Sequence, residues 1–304
     1  MNYRHFLNNR VLFFPVLLLF FITPLFAQEF SALQKNGVNI LFVESLRPAA
    51  DEAVELYPFI KVDLERTLLW KVNFIPTVIL IRDNNTFQRM ADNNLIVAYA
   101  VPDRDLMVID YSRMKTDPFT LEATMKHELC HLLLHKNIQH ENLPLWLDEG
   151  ISQWVSGGLA DIIMDRYSVL DDAIFSNRYI RLKSLENGFP DDERRLSLAY
   201  AESKSLIDYI ISEYRPDGVL SLLGYLKDGD GINSAMLKSY SISFDELEKR
   251  WYDRLKKRAT FLTFLINNLY EILFSLAALL LIYGFIRGII KRRSYEDEDD
   301  DFPI

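Results

Sequence analysis

His127-Glu128-Leu129-Cys130-His131 is the stretch from which this chain is best read. Upstream, Asp117-Pro118 fits an N-cap followed by the first helical position, which predicts a helix from there to about Lys136. On a helix, residues four apart share one face a turn apart. His127 and His131 can therefore reach a single ion, with Glu128 beside them and in reach of a water at that ion. Two neutral imidazoles suit Zn²⁺, which in catalytic sites takes three protein ligands and keeps one position for water. Downstream, Pro144-Leu145-Trp146-Leu147-Asp148-Glu149-Gly150 opens a second helix, with Pro144 near its first turn. Glu149 lies 18 positions after His131, which leaves room for a loop and a return helix. Its carboxylate would complete a two-His, one-Glu set; the plainer reading is an acid favoured by the helix dipole. Leu121, Met125, Leu129, Leu132 and Leu133 form the core stripe of the first helix. Cys130 points away from the histidine pair and reads as a small buried packing residue. His135, a turn further on, reads as a surface residue or a neighbour of the ligands.

H-E-x-x-H followed by W-L-x-E-G resembles the gluzincin (peptidase MA-like) zinc metallopeptidases, the clan that includes thermolysin and aminopeptidase N. The resemblance covers about residues 50–258, and its specificity lies in 127–149. It implies Glu149 as the third zinc ligand beside His127 and His131. Ala199-Tyr200-Ala201-Glu202-Ser203-Lys204-Ser205-Leu206 looks like the later helix that supplies an active-site tyrosine in aminopeptidase relatives. That makes Tyr200 a candidate oxyanion donor; with 15 tyrosines in the chain, core packing is the other reading. Phe244-Asp245-Glu246-Leu247-Glu248-Lys249-Arg250-Trp251 is similar to the segment that closes small peptidase MA-like domains. Three departures stand out. The His131–Glu149 spacing is one residue shorter than in the aminopeptidase branch, which touches the loop 132–143. The G-x-M-E-N element that holds a free N-terminus in aminopeptidases is missing, so an endopeptidase is expected. Four residues after Glu149, where thermolysin relatives carry an Asp that orients a histidine, this chain has Gln153; Ser152 and Gln153 are both candidates for that role.

The ends of the chain point to a membrane. Arg4 and Arg10 precede the apolar run Val11–Phe26, and Ala27 supplies a small residue at the expected cleavage position, so residues 1–27 read as a secretory signal peptide. An uncleaved anchor is the alternative. No Cys follows the run, which argues against a lipoprotein. A second apolar run, Phe261–Ile286, is long enough to cross a ~30 Å bilayer core as a tilted helix, with a better-buried register from Ile272 to Ile290. Arg287, Lys291, Arg292 and Arg293 mark the cytoplasmic side. Residues 261–290 are thus expected to form a single transmembrane helix and 291–304 an acidic cytoplasmic tail. The body, 28–260, is expected to be periplasmic or extracellular, with the lipid bilayer as a partner through the C-terminal helix.

The 304 residues carry 34 Lys+Arg against 43 Asp+Glu, a net charge of −9 with no Lys/Arg-dense stretch, which argues against a nucleic-acid partner. A single cysteine rules out a disulfide-stapled scaffold. Residues 49–68 read as a helix, and Phe74–Ile81, Leu95–Val101 and Leu106–Tyr111 as strands. Helices follow at about 144–157, 196–214, 216–227 and 243–258. The expected fold is α+β, a thermolysin/aminopeptidase-like catalytic domain with a small sheet and a helical C-terminal part. The expected function is zinc-dependent hydrolysis of peptide bonds outside the cytoplasm. Glu128 would be the general base, and the strand Leu106–Tyr111 would pair with extended substrate. The alternative is a non-catalytic, membrane-tethered binding or assembly protein on the same fold, a role with no need for Glu128.

Overall fold

The computed structural model describes residues 30–91, 96–114, 119–157 and 166–299. It is a mixed α+β structure and divides into two compact units, one up to Tyr252 and one from Asp253.

The first unit opens with an antiparallel hairpin, β1 (Phe30–Lys35) and β2 (Val38–Val43). Asn36 and Gly37 join the strands with φ of 55° and 85°, the left-handed pair that a two-residue hairpin turn requires and that Asn-Gly adopts readily. Helix α1 (Arg47–Leu68) follows, with Pro48 in its first turn. Next come β3 (Thr77–Ile81), α2 (Asn84–Ala91), β4 (Ala98–Val101) and β5 (Leu106–Asp110). The five strands lie in the order β1-β2-β3-β5-β4, with β2, β3 and β5 parallel and β1 and β4 antiparallel at the edges.

Alternation along the strands sends the side chains to two different layers. Ile40, Val78, Met107 and Ala100 are register neighbours, all buried, on the face where α1 packs over β2. Helix α3 (Leu121–Asn137) packs over β4 and β5 and touches α1, so it shares that face. The other face holds a smaller cluster of Ile81 and Val108 with Phe87 and Ala91 of α2.

The helical part begins with α3. Its N-cap is Thr120, whose hydroxyl accepts the Ala123 N–H at 3.2 Å. The expected start at Asp117-Pro118 lies outside the described residues, and Phe119 and Thr120 precede the helix. Then come α4 (Leu145–Val155), α5 (Arg166–Phe175), α6 (Glu193–Lys227), α7 (Ile232–Tyr240) and α8 (Phe244–Asn267), which runs past the boundary between the units. Within α6, Arg215 leaves helical geometry at φ 63°, ψ 172°. The ring of Pro216 disfavours a helical residue before it, and the break falls where the sequence divides 196–214 from 216–227.

One expectation needs correction. β5 lies between β3 and β4, so its main-chain groups are already paired and it cannot accept a substrate strand; β4 is the edge. Over 261–290, where a membrane helix is expected, the chain divides at Asn268 between α8 and α9 (Leu269–Asp299). Among the described residues no helix is long and apolar enough to cross a membrane. The expected signal peptide, 1–27, lies outside the described residues.

Candidate metal centre

The centre is built by the crossing of α3 and α4. Nearly all of α4 is buried, so its position is set by packing on several sides rather than by one apolar stripe. Trp146 stacks on Phe244 with ring centroids 5.6 Å apart. On another side Gly150 meets α6: a Cβ there would lie 2.7 Å from both the Ser203 carbonyl oxygen and Ile207 Cγ1. The glycine of W-L-x-E-G is needed because two helix backbones approach each other at that point.

This crossing brings His127, His131 and Glu149 together, all buried. His127 Nε2 and His131 Nε2 are 3.1 Å apart, and Glu149 Oε2 lies 3.6 Å from the first and 3.7 Å from the second. Ligands about 2.0–2.1 Å from a tetrahedral zinc sit roughly 3.3–3.5 Å from one another, so this triangle has the right size. Among the described residues Glu149 Oε2 has no hydrogen-bond partner despite its burial, a costly state for a carboxylate unless a cation meets it.

The outer nitrogens fix the tautomers. His131 Nδ1–H donates to Asp148 Oδ1 at 2.7 Å, with the Ser152 hydroxyl oxygen 3.2 Å from the same nitrogen. The Ser156 hydroxyl donates to the Ser152 carbonyl at 2.7 Å, which leaves its oxygen to accept from His127 Nδ1–H at 3.4 Å. With both rings neutral, the two Nε2 lone pairs face each other across 3.1 Å, an arrangement that a shared cation or proton makes favourable. The chemistry of the donors agrees. Burial works against a charge on His131, but Asp148, Glu149 and Glu128 outweigh it and raise its pKa to about 10. Burial also opposes the charge of Asp148, yet His131 and His135 hold its carboxyl below the usual range. Glu128 is pushed up from the ordinary carboxylate value by burial, with Glu149 and Asp148 adding to the effect of desolvation and the two histidines opposing it. The pocket therefore favours positive charge, and its residues fit a metal ion.

The other sequence candidates fall around this centre. Tyr200 on α6 is half-buried; its carbonyl accepts the Gln153 side-chain amide at 3.3 Å and its ring meets Phe189 edge to face at 5.1 Å. Of the two candidates for orienting a histidine, Ser152 touches His131, whereas Gln153 turns its amide to Tyr200. The principal partner of His131 is Asp148, which the sequence reading missed. The signal was adjacent: a carboxylate directly before Glu149 on the helix that crosses α3. Ser156 was missed as well, and Cys130 is fully buried as expected.

A family model described as the peptidase MA superfamily matches residues 95–257. Among solved structures, an aminopeptidase A of Legionella pneumophila in complex with aspartic acid is similar over 73% of this chain and 27% of its own, with 14% identity and a TM-score of 0.43. The chain thus spans about a quarter of that enzyme's length. A search of curated proteins gives no match.

Proposed function

The chain belongs to the peptidase MA superfamily, and from that premise we propose that it is a zinc metallopeptidase acting as an endopeptidase outside the cytoplasm. His127, His131 and Glu149 would hold the metal. One observation carries the reading: three ligand atoms converge with one unpartnered carboxylate oxygen among them, and Glu128 is buried in the same charged cluster. Zinc bound there would polarise the scissile carbonyl and make water more acidic. Glu128 takes a proton from the attacking water and passes it to the amine nitrogen as the C–N bond breaks. The upward push on its pKa suits a group that must both accept and return that proton. Tyr200 donates its hydroxyl proton in a hydrogen bond to the oxygen that gains charge. Edge strand β4, against which α3 packs, offers its outer main-chain groups to an extended peptide. Endopeptidase action is supported by the missing G-x-M-E-N element.

The membrane anchor belongs to this proposal too. On α9, Leu273, Phe274, Leu279, Leu281 and Phe285 are all more than half exposed, an apolar surface that water disfavours. The uninterrupted Leu276–Ile286 sequence and the basic residues after it support a helix that ends in the cytoplasm.

Glu128→Gln tests the catalytic reading, since it is nearly isosteric and leaves the ligands in place. Zinc content should stay near wild type, while turnover of a mixed peptide library, read by mass spectrometry, should drop by roughly 10²-fold or more. If wild type and variant bind zinc alike and are equally inactive, the binding-protein alternative replaces the enzyme.

A further inference from the structure

His135 lies on α3, one turn past His131 and two past His127, so three imidazoles stand in a row along one helix face. The first two turn Nε2 toward the centre. The third turns Nε2 to Asp148 Oδ2 at 2.9 Å, while Asp148 Oδ1 holds His131 at 2.7 Å. Asp148 is only 2% exposed, and each of its oxygens is taken by an imidazole from the facing helix. The His135 ring is itself stacked on His140, from the 3-10 turn His140–Asn142, with centroids 5.8 Å apart and planes 27° apart.

We propose that His135 is a positioning residue of the metal centre: its Nε2–H pins one oxygen of Asp148, so that the other stays on His131 Nδ1 and keeps His131 Nε2 turned toward the ion. The inference rests on the zinc reading above. A carboxylate anchored through one oxygen can rotate about its last side-chain bond, and a second anchor removes that freedom. In a buried site the second oxygen also needs a donor, because an unpaired carboxylate oxygen there is costly. The imidazole can donate from Nε2 both as the neutral tautomer and when protonated, so the role does not depend on its charge. Side chains that orient ligand histidines in this way tune metal affinity, by about 10–100-fold when they are removed.

The test compares two substitutions of similar volume in the full-length protein. His135→Gln keeps an N–H donor near the Nε2 position, and His135→Met does not. Zn²⁺ affinity, read by competition with a chromogenic chelator, should fall about 10-fold or more in His135→Met and stay within about 3-fold of wild type in His135→Gln. In an Asp148→Ala background, His135→Met should weaken binding little further, because the path it acts through is gone. Equal affinities for the Gln and Met variants, or an undiminished Met effect without Asp148, would overturn the inference and leave the zinc reading standing. A wild type that binds no zinc overturns both. If His135→Met fails to fold, His135→Ala is compared with His135→Gln by the same criterion.

Discussion

Two groups of buried acids lie in the first unit, and they are finished differently. Glu202 on α6 and Glu248 on α8 each accept main-chain N–H groups: Ile180 donates to Glu202 at 2.9 and 3.3 Å, and Leu182 to Glu248 at 2.8 Å. These bonds fasten the segment around Ile180 and Leu182 to two helices. Glu128, Asp148 and Glu149 are also buried, but Asp148 is held by two imidazoles, and among the described residues Glu149 Oε2 has no hydrogen-bond partner. Burial and acidity do not by themselves separate scaffold from site. The second group is set apart by polar atoms that converge with their valences unfilled, and such atoms are rare in a folded interior.

The sharpest way to break this contrast is to remove one acid from each group and measure zinc. Glu149→Ala and His131→Ala should each weaken zinc binding more than about 10²-fold, beyond the loss seen when only an orienting partner is removed. Glu202→Ala should leave it within a factor of about two, although the freed Ile180 N–H should cost about 1–3 kcal/mol of stability. Elemental analysis and chelator competition decide it. Zinc retained in both ligand variants, or lost in Glu202→Ala at constant fold, would erase the distinction.

Tyr200 and Glu202 stand two residues apart on α6, and the proposed function puts them on opposite sides of the comparison. Tyr200→Phe removes only a hydroxyl. If that group serves the reaction, kcat should fall by about 10²–10³ with KM and melting temperature nearly unchanged. A variant with wild-type turnover would move Tyr200 to the scaffold, beside Phe189.

What the sequence made legible follows from how local each interaction is. The pairing of His127 with His131 is a property of helical spacing, and it is present in the structure as read. Glu149 depends on where α4 crosses α3; the glycine beside it carries part of that information, since Gly150 is where α6 must come close. Asp148 is not legible in the sequence, because the motif of thermolysin relatives points one turn past Glu149, to Gln153, whereas the packing of α4 on α3 presents the residue just before Glu149 to His131. In the sheet, buried β3 and β5 were readable from their Ile and Val runs. The hairpin β1–β2 was not, although Asn36-Gly37 is a strong turn signal; β1 is largely exposed and its apolar pattern is faint. Which strand forms the edge is a matter of topology, so the substrate-strand expectation fell on β5 rather than β4.

Gly150→Ala probes the joint on which the site side depends. With 2.7 Å to a backbone oxygen, the added methyl cannot be accommodated by a rotamer change, so α4 or α6 must shift. A cost of about 1–3 kcal/mol is expected for overpacking of this kind, or roughly 2–4 °C of melting temperature per kcal/mol for a domain of this size. Zinc affinity should weaken as well, because Glu149 is the preceding residue. Unchanged stability would show that the two helices have room to separate.

The smallest effect is expected on the scaffold side, and its signature is a slope rather than a loss. Burial pushes the pKa of Glu202 well above the ordinary 4.5; the Ile180 hydrogen bond opposes this, and the charge of nearby Glu248 adds to it. The folded protein therefore keeps a proton on Glu202 at pH values where the unfolded chain has released it. Over that range the folded state binds more protons, so stability must fall as pH rises. The contribution is full below about pH 4.5 and is lost progressively as pH climbs through the raised folded value. Glu202→Gln does not titrate, and its side-chain oxygen still accepts the Ile180 N–H. The variant and wild type should have similar melting temperatures near pH 5, and the variant should gain on wild type toward pH 8. A gain of roughly 1 kcal/mol, or about 2–4 °C, fits an ordinary single substitution in a domain of this size. Zinc content should be unchanged throughout. Because His131, Asp148 and Glu128 are untouched, their own pH dependence cancels in the difference between the two proteins. Parallel melting curves across pH 5–8 would mean that Glu202 carries the same charge folded and unfolded, and that the Ile180 hydrogen bond offsets the effect of burial and of Glu248.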